Sequence, residues 1–200
     1  MLIHGFVRGC RVNGPGLRAV VYFQGCTLGC RSCWNAESHS FIGEEWSIAQ
    51  ATDLVLCAHE ERRIEGVTFS GGEPMQQAHD LLSLIESVHG RLPTVSFGMY
   101  SGYSAQELES GRYWCRGEST KVARQELWRS IRGHLDFAVL GRYVAGHSST
   151  LALRTSGNQR LELLSDRYSE RDFEPQEVEV HIGEHGLVQI TGFPVTGLPI

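Results

Sequence analysis

The sequence predicts an α/β fold, built as a partial, open TIM-type barrel of βα units with a small C-terminal β appendage. Between residues 18 and 140, short segments rich in β-branched and aromatic residues alternate with segments of helical periodicity, as in βαβ units with a parallel sheet. Four such units are too few for the eight strands of a closed barrel. After Gly146 the helical segments end, and only short strand-like segments follow.

Each core element has its own pattern. The run RAVVYFQ at residues 18–24 predicts the first strand. Ser47 with Gln50 resembles a capping box, which predicts a helix over residues 47–62. The remaining core elements are a strand at 67–70, a helix ending near Val88, a strand at 94–100, a helix at 121–132 and a strand at 135–140.

The C-terminal part of the chain reads as β structure. Short strands are predicted at residues 161–164, 177–182 and 187–191, with a hairpin turn at 184–186 between the last two. We therefore expect a core domain over residues 1–160 and a β-rich extension, residues 161–200, packed on it.

Composition excludes several classes of protein. The 200 residues fit one domain, and 41% hydrophobic residues are enough for a buried core. A net charge of -5 without basic runs argues against binding nucleic acid. No apolar run is long enough to cross a membrane, and the first residues lack the pattern of a secretory signal, so we expect a cytoplasmic protein.

Three of the six cysteines lie in one short loop. Cys26, Cys30 and Cys33 have x3 and x2 spacing, so a single loop can wrap one metal centre. A four-iron cluster held by three thiolates leaves one iron open to a small molecule. A structural zinc site would instead be closed by a fourth ligand, for which His39 is the candidate.

A glycine-rich turn follows the predicted strand at residues 67–70. Its sequence is Gly71-Gly72-Glu73-Pro74, and two glycines let a ligand approach the backbone closely. We expect a side chain at Gly72 to block that approach while leaving the cysteine loop intact. The turn alone is a weak signal, but its combination with the cysteine loop favours an iron–sulfur enzyme over a zinc module.

The two motifs together resemble those of the radical S-adenosylmethionine superfamily. In that superfamily three cysteines with this spacing are followed by an aromatic residue, here Trp34. Within it, the chain resembles the activating enzymes of glycyl radical enzymes, including the activators of anaerobic ribonucleotide reductase. The stretches that carry the resemblance are residues 12–18, 25–35, 69–74, 100–103, 136–143 and 153–160.

The resemblance implies a cofactor set and a chemistry. Cys26, Cys30 and Cys33 would hold a [4Fe-4S] cluster whose remaining iron binds S-adenosylmethionine. The residues implied to contact this cofactor are Trp34, Gly71, Gly72 and Glu73. Reductive cleavage of S-adenosylmethionine to a 5′-deoxyadenosyl radical needs no general base, so no catalytic side chain beyond the cluster is implied.

The resemblance also implies partners. The implied substrate is a glycine of a glycyl radical enzyme, such as an anaerobic ribonucleotide reductase, and the electron donor is of the flavodoxin or ferredoxin type. The loop with Asn13, Gly14, Gly16 and Arg18 would lie near that glycine, and Arg18 can pair with a carboxylate or a peptide carbonyl. We expect this loop to reach the cluster side of the sheet.

Two other functions remain open at this stage. The chain continues about forty residues beyond Arg160, where the resemblance ends, so a radical S-adenosylmethionine enzyme with another peptide or a small molecule as substrate is one alternative. A non-catalytic protein that binds zinc or an iron–sulfur cluster is the other.

Overall fold

A computed structural model describes residues 1–173, 178–182 and 188–192. The strands in these residues are β1 (Leu2–Cys10), β2 (Arg18–Phe23), β3 (Glu44–Glu45), β4 (Gly66–Gly71), β5 (Ser96–Ser101), β6 (Phe137–Leu140), β7 (Arg160–Leu163), β8 (Val178–Ile182) and β9 (Val188–Gly192). The helices are α1 (Ile48–Arg62), α2 (Ala78–Arg91), α3 (Ala105–Glu109) and α4 (Lys121–Arg132). No helix in the described ranges is both long enough and apolar enough to cross a bilayer.

Seven strands form one sheet, in the order β3-β1-β2-β4-β5-β6-β7. The four central strands, β2, β4, β5 and β6, are parallel to one another. The outer pairings, β3 with β1, β1 with β2, and β6 with β7, are antiparallel. The loops that follow the four parallel strands therefore meet at one end of the sheet, the carboxyl end, and the strands begin at the opposite, amino end.

The helices form a layer on one face of this sheet. The parallel strands succeed one another in a single direction across the sheet, and right-handed crossovers then place the intervening helices on the same face. Accordingly, α1 packs against α2, and α2 against α4. Alternate side chains of β2, namely Ala19, Val21 and Phe23, belong to the main hydrophobic core that this layer covers.

The second face of the sheet carries buried polar side chains and is covered by the C-terminal part of the chain. Arg18 of β2 donates hydrogen bonds to Thr68 of β4 and to Ser96 of β5. Near the amino end of the sheet, the rings of Tyr168 and Phe173 pack edge-on against Phe137. The segment after β7 thus closes the amino end of this face.

The two-stranded sheet of β8 and β9 contacts the end of β1. Its strands are antiparallel. Thr191 Oγ1 lies 3.1 Å from Cys10 Sγ, and the Arg11 amide donates to Glu179 Oε2 at 2.7 Å. This two-stranded sheet therefore lies against the loop that connects β1 to β2.

The α/β class and the parallel central strands are confirmed. The capping box at Ser47 and Gln50 is confirmed as well, since α1 begins directly after Ser47. The sequence pattern did not predict β1, whose apolar residues are interrupted by Gly5 and Gly9. β7 adds to the main sheet beside β6. In the described residues β3 and β7 are free edges, so the sheet is open, and the hairpin turn predicted at 184–186 lies outside those residues.

Candidate functional site

The cysteine loop and the glycine turn line one cavity at the carboxyl end of the sheet. Cys26, Cys30 and Cys33, from the loop after β2, border this cavity together with Gly71, the last residue of β4, and Gly72, which follows it. The two motifs meet because β2 and β4 are adjacent parallel strands that end side by side. The two motifs that the sequence singled out therefore lie at one edge of the sheet.

Backbone hydrogen bonds and one buried side chain hold the cysteine loop in place. The Cys26 amide donates to the His39 carbonyl at 3.0 Å, and the Gly25 amide donates to the Ser38 carbonyl at 2.7 Å. Gln76, which is fully buried, accepts from the Thr27 amide at 3.0 Å through Oε1. The loop is thereby fixed on both sides of Cys26.

Burial keeps two of the three thiols protonated when no metal is bound. Burial raises the pKa of the Cys26 thiol to about 11, and burial also raises the pKa of the Cys33 thiol. None of the three cysteines forms a disulfide. Metal coordination deprotonates such thiols outright, because the positive charge of the metal offsets the cost of a buried thiolate.

The arrangement of these donors is compatible with a cluster. In the described part of the chain, no three Cys, His, Asp or Glu side chains converge where one metal ion could bind. The three thiols border a shared cavity instead, as expected where each thiolate binds a different iron. His39 Nε2 is buried without a hydrogen-bond partner, yet it completes no such ligand group.

The glycine turn is pinned against the backbone that precedes Cys26. The Gly72 amide donates to the Phe23 carbonyl at 2.8 Å, and the Glu73 amide donates to the Gly25 carbonyl at 2.9 Å. Gly71 has a φ of 96°, which favours glycine. The turn therefore fixes the cavity wall and the start of the cysteine loop together.

Glu73 is buried and binds the protein through its carboxylate. Its two oxygens accept hydrogen bonds from the Met75 amide at 3.0 Å, the Ser101 hydroxyl at 2.8 Å and the Gly102 amide at 2.7 Å. These bonds tie the glycine turn to the end of β5. Glu73 thus lines the cavity while its hydrogen bonds join the end of β4 to the end of β5.

Glu73→Gln is expected to remove a pH-dependent part of the stability. Burial raises the pKa of the Glu73 carboxyl from its ordinary 4.5 to about 7, against the lowering effect of its hydrogen bonds. The folded protein thus holds this proton more tightly than the unfolded chain does. The resulting stabilisation, on the order of 3 kcal/mol, is complete below the unfolded pKa and is lost as the pH rises to about 7.

Denaturant unfolding of the iron-free parent and of the iron-free variant, at about pH 4.5 and about pH 8, tests this prediction. The free energy of unfolding of the parent minus that of the variant should fall by the stated amount between the two pH values. A difference that does not change with pH would contradict the raised pKa.

Other parts of the chain complete the cavity. Trp34, directly after the third cysteine, lies on its rim with 40% of its surface exposed. Tyr100, Tyr143 and Gln159 line the wall. Gln159 shapes the segment before β7, since its Oε1 accepts from the Thr155 amide and its Nε2 donates to the Gly141 carbonyl. Sequence reasoning did not assign Tyr143 or Gln159 to the site, although both lie in the stretches that carry the family resemblance.

The loop expected near the substrate lies at the other end of the sheet. β1 runs antiparallel to β2, so residues 13–16 precede the amino end of β2, whereas the cysteine loop follows its carboxyl end. The expectation that this loop reaches the cluster side is therefore wrong. A Cβ atom at Gly14 would lie 2.5 Å from Phe137 Cζ, and one at Gly16 would overlap Glu65. Side chains of the chain itself fill the space beside both glycines.

Arg18 and Asn13 are engaged inside the protein. All three nitrogens of the fully buried Arg18 guanidinium donate, to the Thr68 and Ser96 hydroxyls and to the carbonyls of Pro15, Val67 and Ser96. Asn13 is also buried, and its side chain donates to Cys10 Sγ at 3.1 Å. In this arrangement Arg18 braces the loop, with no donor left for a substrate carboxylate.

Arg18→Ala is expected to destabilise the protein. The change leaves the hydroxyls and carbonyls that Arg18 binds without hydrogen-bond partners. It also leaves a cavity beside Phe137, whose ring centroid lies 5.0 Å from Arg18 Cζ. A loss of about 3 kcal/mol follows from buried groups left without partners. Thermal and denaturant unfolding measure it, with Arg11→Ala at an exposed position of the same loop as the control. A fully stable Arg18→Ala protein would contradict the bracing role assigned to Arg18.

Comparisons with known proteins agree with this site. The chain is similar to the anaerobic ribonucleoside-triphosphate reductase-activating protein of Salmonella typhimurium, with 28% identity over 105 residues, which are 50% of this chain and 68% of the relative. The protein of that name from Haemophilus influenzae is 24% identical over 153 residues, covering 74% of this chain and 88% of the relative. The pyruvate formate-lyase-activating enzyme of Clostridium pasteurianum is 33% identical over 109 residues, covering 50% of this chain and 45% of the relative.

A family match covers most of the chain and includes every residue of the cavity. The family is described as a 4Fe-4S single cluster domain, and it matches residues 12–162. This range holds the three cysteines, the glycine turn and Gln159. By this match and by the fit of its thiols to a cluster, the chain belongs to the 4Fe-4S single cluster domain family.

Proposed function

We propose that the protein is a radical S-adenosylmethionine enzyme that activates a glycyl radical enzyme. The observation that carries the proposal is the shared cavity of three free thiols and the glycine turn at the carboxyl end of the parallel strands. The names of the relatives, which are activators of anaerobic ribonucleoside-triphosphate reductase and of pyruvate formate-lyase, support the substrate class.

The residues of the cavity have different roles. Cys26, Cys30 and Cys33 hold the [4Fe-4S] cluster, and the backbone of Gly71 and Gly72 binds polar groups of S-adenosylmethionine. The chemistry that these groups supply when bound is one-electron cleavage of the sulfonium, followed by abstraction of a hydrogen atom from the substrate.

The remaining residues position and shield the reaction. Trp34 covers the rim of the cavity, and Glu73 keeps the glycine turn joined to the end of β5. Tyr100 and Gln159 line the wall and narrow the cavity, which excludes water from the space in which a carbon radical would form. No side chain needs to accept a proton in this scheme.

We also propose the finer features of the fold and its setting. The parallel strands with one helix layer act as a partial barrel, with residues 1–160 as the catalytic core and residues 161–200 as an extension packed on it. A reducing cytoplasm suits the protein, because the cluster cysteines remain thiols there. The electron donor is a flavodoxin or a ferredoxin-type protein.

The proposed substrate is a glycine-containing segment of a partner enzyme. The Cα of this glycine must reach the cavity of the cysteine loop, because the hydrogen atom is abstracted by a radical formed there. A second cavity, of about 290 Å³, lies beside residues 14–16 at the amino end of the sheet and is also lined by Arg11 and Arg171, whose guanidinium groups suit a more distant part of the partner. In this proposal Gly14 and Gly16 shape that outer contact, and Asn13 and Arg18 hold their loop in position.

Electron paramagnetic resonance tests the proposal. Enzyme with a reconstituted cluster is reduced and mixed with S-adenosylmethionine and the glycyl radical enzymes encoded in the same genome. We expect a glycine-centred doublet on one partner, with 5′-deoxyadenosine formed in equal amount. Release of 5′-deoxyadenosine without any protein radical would point to another peptide or a small molecule as substrate, and an intact cluster without cleavage would point to a non-catalytic protein.

A further inference from the structure

The outer edge of β7 is free and begins beside the cavity of the three cysteines, the cysteine cavity. β7 is the last strand of the main sheet, and within the described residues no strand pairs with its far side. It begins at Arg160, directly after Gln159, which lines the cysteine cavity. An edge strand carries a row of unpaired amides and carbonyls, with which another extended chain can pair.

The outward backbone groups of β7 belong to Leu161 and Leu163. In an antiparallel pair, consecutive residues of one strand face the partner strand and the free side in turn. The Leu164 amide faces β6, because it donates to the Asp136 carbonyl at 2.8 Å, so the second and fourth residues before it face β6 as well. The amides and carbonyls of Leu161 and Leu163 therefore point outward, and no hydrogen bond from the described ranges reaches them.

Three cavities follow one another beside β7, from the amino end of the sheet to the cysteine cavity. The middle cavity, of about 210 Å³, is lined by Leu161, Arg154 and Phe173, among others. Phe173 also lines the cavity at the amino end. Arg154 is followed by Thr155, which lines the cysteine cavity. A polypeptide beside β7 can therefore extend from one end of the sheet to the other through adjoining sites.

One loop, residues 147–157, lines all three cavities. It is closed at its base, where the Gly157 amide donates to the His147 carbonyl at 2.7 Å. Leu153 of this loop lines the cavity at the amino end, Arg154 the middle cavity and Thr155 the cysteine cavity. The loop thus forms a continuous wall opposite β7.

The middle cavity is lined by a donor and an acceptor that lack partners. Arg154 Nε is buried, and no acceptor in the described part of the chain lies within hydrogen-bond distance of it. Glu170 lines the same cavity, and its carboxylate takes part in none of the ion pairs or hydrogen bonds of the described residues. A peptide group has one acceptor and one donor and can satisfy both side chains, whereas Glu170 would repel a free anion. The cavity therefore suits a polypeptide backbone.

We propose that the substrate polypeptide adds to the free edge of β7 as an extended strand and passes from there into the cysteine cavity. The inference rests on the proposed function, and it adds the path by which the glycine reaches the cluster. The four residues of β7 span about 13 Å. Beyond Leu161 the edge is closed, because the Gln159 amide donates to the Ser156 carbonyl at 3.0 Å. The added strand leaves the edge there, beside Gln159 and Thr155, which both line the cysteine cavity.

Strand addition suits an enzyme that must hold one segment of a large partner. Main-chain hydrogen bonds supply the affinity, and pockets beside the edge select side chains. The middle cavity is such a pocket, with Leu161 and Phe173 as apolar lining and Arg154 and Glu170 as polar lining. The cavity at the amino end continues the path away from the cluster, toward the more distant part of the partner.

The test uses the cluster-loaded protein and labelled synthetic peptides, each centred on the radical-bearing glycine of a glycyl radical enzyme from the same genome. Fluorescence anisotropy measures their binding. In one series the peptide amides are N-methylated one at a time, which removes a donor at each position. In the other series Leu163→Pro removes an outward amide of β7 without breaking a bond to β6. Leu163→Ala, which keeps that amide, is the matched control.

Strand pairing predicts an alternating result. Methyl groups on every second amide of the paired segment should weaken binding about tenfold or more, and those between them should have little effect. Leu163→Pro should weaken binding by a similar factor, and Leu163→Ala by much less. Arg154→Met should also weaken it, with Arg160→Met as the control, because the Arg160 side chain points to the opposite face from Leu161. Iron content and thermal unfolding show whether each variant is folded and loaded.

Four results would overturn the inference. The first is peptide binding whose dependence on N-methylation does not alternate, a test that needs no protein variant. The second is equal affinity in Leu163→Pro and Leu163→Ala, and the third is a parent that binds none of the peptides. The fourth is a parent dimer that Leu163→Pro dissociates at unchanged peptide affinity, which would assign the edge to a second copy of this chain.

The same measurements separate this inference from the proposed function. A glycine radical formed by the parent together with any of those four results would leave the proposed function in place. Alternating peptide binding to a parent that does not cleave S-adenosylmethionine would count against the proposed function and leave the strand-addition site in place.

Discussion

Replacing Cys33 by Ala is expected to abolish cluster binding and cleavage of S-adenosylmethionine. Three thiols border the cavity, and the Glu73 carboxylate beside them is already bound to the Met75 and Gly102 amides and to the Ser101 hydroxyl, so it cannot readily replace a lost thiolate. A cluster held by two thiolates has two open irons, so it loses both its anchorage and its single cofactor position. The fall in activity should exceed the ~10–100-fold cost of removing a residue that only supports a ligand.

Iron and sulfide content, visible absorbance and chromatographic detection of 5′-deoxyadenosine measure this loss. Cys57→Ala is the matched control, because Cys57 is an exposed thiol on α1, away from the cavity lining. Cys115→Ala adds a buried control. Both should retain iron, sulfide and cleavage. A Cys33→Ala protein that cleaves S-adenosylmethionine at the parent rate would remove the cysteine loop from the site.

The cavity could be predicted from the sequence because its two motifs depend on local signals. The cysteines need only a single loop, and Gly71-Gly72 needs only the strand before it. Once β2 and β4 are recognised as neighbouring parallel strands, their carboxyl ends must lie side by side. The only long-range information in this step is the pairing of β2 with β4, which the βαβ pattern implies.

The position of the Asn13 to Arg18 loop could not be predicted in the same way. Its place depends on β1, whose pairing with β2 is antiparallel and which the apolar pattern did not reveal. Sequence adjacency to β2 suggested proximity to the cysteine loop. The six residues of β2 lie between them, however, and an extended strand of that length spans about 20 Å. The hydrogen-bond partners of the buried Arg18 guanidinium also come from distant parts of the chain, so they could not be predicted from the neighbouring sequence.

Gln159 is a second residue whose position in the cavity could not be predicted from the sequence. It lies 126 residues after Cys33 in the chain, as the difference of their numbers shows, yet both line one cavity. The start of β7 lies at the carboxyl end because β7 pairs antiparallel with β6, and Gln159 Nε2 also binds the Gly141 carbonyl directly after β6. Resemblance marked this stretch as part of the family pattern, but only the fold places it at the site.

Gly72→Val is expected to damage the cluster loop as well as the cofactor site. From the sequence alone, a side chain at this position would block S-adenosylmethionine and leave the cluster intact. In the structure, a Cβ atom at Gly72 would overlap the Gly25 carbonyl oxygen and lie 2.9 Å from its carbon. The obstacle is rigid backbone directly before Cys26, so relief requires that the turn and the cysteine loop move apart.

Such a movement breaks the two bonds that join these segments, from the Gly72 amide to Phe23 and from the Glu73 amide to Gly25. Overpacking and two lost buried hydrogen bonds together should cost about 3 kcal/mol or more. Thermal unfolding should show the loss. Reconstitution should give less iron per chain, and calorimetry should show little binding of S-adenosylmethionine to the remaining cluster.

Gly5→Ala provides the control, because a Cβ atom at Gly5 of β1 meets nothing within 4 Å. This variant should bind iron and S-adenosylmethionine like the parent and unfold at nearly the same temperature. Gly72→Ala should fall between the two, since a single methyl group already meets the Gly25 backbone. A Gly72→Val protein with full iron content and parent-like cofactor affinity would show that the turn yields without moving the loop. The glycine turn would then no longer be the element that couples cofactor binding to the cysteines.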